Sequence, residues 1–127
     1  MNTLLRIAAA YSLAWAIGLA FPSYLPFGGE LTPPLRSMAH GLAIANLGLA
    51  YIFNRAAADP ANQRGVVYTA LLVFGLRGVV GAYEVLYTLD GPGALPRLVD
   101  MVLSLAFFVG ALNALPATLQ AGGRPRA

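Results

Sequence analysis

The chain has 127 residues, 58% of them hydrophobic and only 10% charged, against roughly 25% charged in soluble domains. Its net charge of +3 comes from arginines with no lysine; apart from Arg77 they lie scattered at the borders of apolar runs, without aromatic interleaving, which excludes a nucleic-acid surface. The absence of cysteine excludes disulfides, thiolate metal sites and thiol catalysis.

The first apolar segment, Leu4–Phe21, predicts a helix over about 4–21. Arg6 near its start, ahead of an apolar stretch, and the small residues at Gly18–Ala20 give it some look of a signal peptide, but it reads as a helix of the fold. Phe21-Pro22 ends it, and Pro26, Gly28, Gly29 and Thr32 to Pro34 make an irregular connection. Pro33 or Pro34 opens a second helix over 34–54, since proline suits the first helical position. After a turn at Arg55–Ala58, Asp59 and Pro60 read as N-cap and first residue of a third helix over 60–89. Asp90 to Gly93 is a strong stop, Pro96 starts a fourth helix over 96–115, and residues 116–127 form a frayed tail. The apolar segments within them, Leu4–Phe21, Leu35–Asn54, Val66–Leu89 and Leu98–Leu115, are each near the ~20 residues that span ~30 Å of hydrocarbon. The expected fold is all-α: a polytopic four-transmembrane-helix bundle forming a single domain, 1–127.

With the N-terminus inside, Arg6, Arg55, Arg64, Arg124 and Arg126 fall on the cytoplasmic side, and Arg36 and Arg97 outside. That asymmetry satisfies the positive-inside rule and places both termini in the cytoplasm of a bacterial inner membrane. Small-residue stripes recur at Ala10, Ala14 and Gly18, at Gly41, Ala45 and Gly48, and at Gly75, Gly78 and Ala82. Such stripes let backbones approach closely in lipid, so all three are expected to face protein. Tyr24, Phe27 and Tyr87, and Tyr51, Phe53 and Tyr68, read as aromatic belts at the two borders. Trp15 lies deeper, as a core or ligand-contacting residue.

Arg77 is the most informative residue, because a charge amid the apolar run Val66–Leu89 is costly and is either paired or functional. Glu84 follows two turns later on a face shared with Gly81 and Thr88. His40, Glu84 and Asp100 each sit about 6–8 Å inside the outer end of their helices. Asp100 shares a face with Ser104, Phe107 and Ala111, and His40 with Ile44, Leu47 and Tyr51. Convergence of these faces would build an outward-open polar pocket floored by Arg77, with Arg77, Glu84, His40, Asp100, Ser104 and Trp15 contacting a small ligand or lipid. The plain alternative pairs Arg77 with Asp100 as a lock. Gly81, leaving room between Arg77 and Glu84, tilts the reading toward a ligand.

Neither a catalytic residue nor a cofactor is identifiable, and a lone histidine is no metal motif. Nucleophile elbows, phosphate loops and paired-histidine zinc helices are all missing. Proton transfer by a histidine–carboxylate pair, as in a membrane isomerase, stands third. Arg36, His40 and Gly41 opening helix two, Phe74, Gly75, Arg77 and Gly78 within helix three, and the Leu89-Asp90-Gly91 turn resemble the small four-helix bacterial membrane proteins related to DoxX. The resemblance covers roughly Leu4 to Leu115. It implies an accessory subunit of a membrane redox complex, with a larger membrane-protein partner or homo-oligomer. The functional expectation is a ligand- or lipid-binding membrane protein, with a purely structural interaction subunit as the alternative.

Overall fold

The apolar segments form four helices in the computed structural model, which describes residues 1–21, 32–87 and 94–121. They are α1 (Asn2–Ala20), α2 (Pro33–Ala56), α3 (Arg64–Tyr87) and α4 (Ala94–Ala121). Pro33 opens α2 as the sequence predicts. The α3 start does not follow prediction. Asp59 begins a separate turn, accepting the Asn62 side-chain amide at 2.7 Å, and the helix starts only at Arg64.

The expected frayed tail is also corrected, because α4 runs through Pro116 to Ala121. Proline there removes one N–H and strips the Leu112 carbonyl of its helical donor. Pro116 lies within the last two turns of α4, so the break is confined to the end of the helix. Two further bonds hold the last turns: Thr118 Oγ1 donates to the Ala114 carbonyl at 2.9 Å, and Arg64 Nη2 to that of Leu119 at 3.4 Å. The expected features at Tyr24, Phe27, Gly28, Thr88, Asp90, Arg124 and Arg126 lie outside the described residues.

The helices associate as two close pairs, α1 with α2 and α3 with α4, which meet each other over a smaller contact. Leu5, Ala8, Ala9, Ser12 and Ala16 of α1 are buried, as are Ala39, Ala43, Asn46 and Ala50 of α2. Two of the three predicted small-residue stripes are therefore not packing faces. Ala10, Ala14, Gly41, Ala45 and Gly48 are exposed, and a Cβ at Gly41 or Gly48 would meet nothing within 4 Å. The chosen faces differ from the rejected ones in carrying Ser12 and Asn46, and burying polar groups away from lipid is favourable. The Asn46 amide donates to its own helix, to the Leu42 carbonyl at 2.8 Å.

The third stripe packs as predicted. A Cβ at Gly78 would stand 2.4 Å from Leu105 Cδ2, and one at Gly81 would stand 3.0 Å from Met101 Cβ. Where the two pairs meet, Phe53, Phe74 and Phe107 stack with Leu5, Val67 and Leu71 into the apolar core; the Phe74 and Phe107 ring centroids are 4.2 Å apart. Phe53, expected in a border belt, is fully buried, because it continues the Ala39–Ala50 face of α2 toward Phe74.

Outside this core the surface is apolar, with Ile17, Ile44, Leu47, Leu72, Leu86 and Leu95 all exposed. α1, α3 and the Arg97–Ala121 part of α4 are long and apolar enough to cross a membrane. α2 is as long as α3 but is diluted by Arg36, His40, Asn46, Asn54 and Arg55.

Candidate functional site

Asp100 lies at the centre of the site. It is a carboxylate with 1% of its side chain accessible, nearly two turns inside the start of α4. A buried charge of this kind is tolerated only when its lone pairs are filled. Three donors do so: Arg77 Nη2 from α3 at 2.9 Å, Arg97 Nη1 from the preceding turn of α4 at 2.5 Å, and the Tyr11 hydroxyl from α1. Arg97 also donates through Nε to Glu84, so two guanidiniums and two carboxylates form one charge-balanced chain.

The aromatic rings of α1 complete the surroundings of Arg77. Its guanidinium carbon lies 5.4 Å from the Tyr11 ring centroid and 5.2 Å from that of Trp15. Both rings offer their electron-rich faces, which suits a cation held away from water. Among the described residues, Tyr11–Asp100 is the only side-chain hydrogen bond joining the α1–α2 pair to the α3–α4 pair. The buried Arg77 Nε and Ser104 Oγ have no hydrogen-bond partner.

Five of the six predicted site residues fall in or beside this cluster: Arg77, Glu84, Asp100, Ser104 and Trp15. His40 does not. It is exposed on the Ile44–Leu47–Tyr51 face of α2, which turns outward, and it makes no hydrogen bond or ion pair among the described residues. The room expected at Gly81 is also absent, because the α4 backbone at Met101 fills it. Arg77 and Glu84 take different partners, as their ~10 Å separation along the helix requires. Among the described residues no three His, Asp or Glu side chains come together as a metal site would need.

Sequence reasoning missed Tyr11 and Arg97. Tyr11 carries a hydroxyl at the midpoint of an apolar helix, a group that needs a partner in hydrocarbon. Arg97 precedes Asp100 by three residues, which is neighbour spacing on a helix.

The cavity beside the cluster is apolar. It is a groove of about 490 Å³ between α1, α3 and α4, lined by residues that include Leu4, Ile7, Tyr11, Phe74, Ala106 and Phe107. Tyr11 belongs to both features, its ring to the groove and its hydroxyl to Asp100. Ile7, Ala10, Leu103 and Ala106 are exposed along the rim, so the groove opens sideways. The polar cluster and this lateral groove belong to an all-helical bundle with three helices able to cross a membrane. No protein family, curated protein or solved structure matches the chain.

Proposed function

We propose that this is a four-span membrane protein that holds a lipid or other apolar small ligand in the groove between α1, α3 and α4. The observation carrying the reading is the groove itself: a volume within the ~300–1,000 Å³ range of small-molecule sites, open along its side and ended by a rigid polar cluster. In this reading Arg77, Asp100, Glu84 and Arg97 fix the walls, and α2 is the fourth span. The arginine distribution supports a bacterial inner membrane with both termini cytoplasmic.

Filling the groove tests the reading. Ala10→Phe with Ala106→Phe replaces two small rim residues by rings, and the purified variant should keep its melting temperature while losing most of the lipid extracted with the wild type. Unchanged lipid content would refute it.

A second reading, an interaction subunit of a larger membrane assembly, is favoured by the uncovered Gly41–Ala45–Gly48 face of α2 and by the DoxX-like pattern. Proton transfer loses its support, because His40 has no bond to Glu84 or Asp100.

A further inference from the structure

We propose that the groove seats one acyl chain of an anionic phospholipid from the leaflet on the N-terminal side, with Arg6 taking the phosphate. This rests on the lipid-holding reading above and adds which lipid and which leaflet.

Depth decides the leaflet. α1 has 19 residues, so it rises about 28 Å, and Tyr11 at its midpoint lies about 14 Å from either end. The groove runs from Leu4 and Ile7 near the N-terminal end to Tyr11. Along α1 it spans about 10 Å, which lies within the ~15 Å hydrocarbon depth of one leaflet. At Tyr11 it meets Asp100 and Arg77, which turn an alkyl chain back from the other leaflet. The exposed rim at Ala10 and Ala106 lets one chain enter from the side while the rest of the lipid stays in the bilayer.

Charge decides the headgroup. Arg6 lies one turn before Ala10 on the same face of α1, between Leu4 and Ile7 of the groove lining in sequence. It is exposed and has no ion pair or hydrogen bond among the described residues, whereas Arg77 and Arg97 are committed to carboxylates. On α4, Asn113 stands exposed two turns beyond Ala106 on the same face, offering amide donors at the same end. Glu84 and Asp100 belong to the opposite end of the groove and do not offset Arg6. A phosphate bearing a net negative charge is thus preferred to a zwitterionic headgroup, whose own cation competes with Arg6.

Trp15 is the only tryptophan in the chain, and its ring lies 6.5 Å from that of Tyr11 at the deep end of the groove. Its fluorescence therefore reports the chain terminus of a seated lipid. The protein is reconstituted in phosphatidylcholine vesicles containing a few mole per cent of phosphatidylglycerol or phosphatidylcholine brominated near the chain end. Brominated phosphatidylglycerol should quench Trp15 with about fivefold preference, the effect of one arginine near an anionic surface. Arg6→Gln should erase the preference, Arg6→Lys should keep it, and Ala106→Phe should reduce quenching by both lipids. Equal quenching by the two lipids, still reduced by Ala106→Phe, would overturn the anionic assignment and leave the groove reading standing. Quenching insensitive to Ala106→Phe would remove both.

Discussion

Arg77 and Asp100 show how a membrane interior treats a single charge. Asp100 gathers three donors from three helices, so removing one leaves it with two but strands part of a buried charge. Arg77→Leu should destabilise the bundle by about 3–5 kcal/mol, the usual cost of breaking a buried pair. Asp100→Asn added to it should recover much of that loss. Tyr11→Phe deletes one bond to a charged acceptor, so about 1.5–3 kcal/mol is expected from it. Thermal melts of these variants in detergent check all three, and a stable Arg77→Leu protein would show the pair to be dispensable. Arg77 was legible from composition alone, since one charge in an apolar run stands out. Asp100 was legible as its partner only as the alternative to a ligand, because the sequence does not say whether a neighbouring helix brings that carboxylate within reach.

The helices divide into faces that pack and faces that do not, and glycine reports which is which. At Gly78 and Gly81 the α3 backbone approaches Leu105 and Met101 too closely for a side chain. Gly81→Leu should separate α3 from α4 and lower the melting temperature sharply. At Gly41 and Gly48 there is open space, so alanine there should be neutral or raise helix stability by up to about 1 kcal/mol. The contrast is read by melting the three single variants side by side. A destabilising Gly41→Ala in the isolated protein would mean that α2 is covered by a second copy. The stripes of α1 and α2 were misread because each helix carries two rows of small residues. Spacing identifies both rows without ranking them, and the positions of Ser12 and Asn46 break the tie.

The whole bundle is two helix pairs joined by the phenylalanine core and by the Tyr11–Asp100 bond. That arrangement leaves the lateral groove between α1 and α4, since the pairs touch less than the helices within them do. Orientation in the membrane is open to direct measurement, and the lack of native cysteine makes single-cysteine labelling clean. A cysteine at exposed Gln63, between α2 and α3, should react only from the cytoplasmic side, and one at exposed Thr32 only from outside. The reverse pattern would invert the bundle and assign the groove to the outer leaflet. Labelling of both from one side would show that α2 does not cross.

Length, hydropathy and punctuation determined four helices and three of their four starts to within a few residues, because proline and apolar run length act locally. They also singled out Arg77, Glu84 and Asp100, because isolated charges are costly in hydrocarbon whatever the fold. Only the tertiary structure decided that His40 turns outward, that Tyr11 and Arg97 complete the cluster, and that the cavity is an apolar groove. Those outcomes depend on which face of each helix meets its neighbour. That choice is a competition among near-equal packing faces, and on α1 and α2 the rows that carry Ser12 and Asn46 are the ones buried.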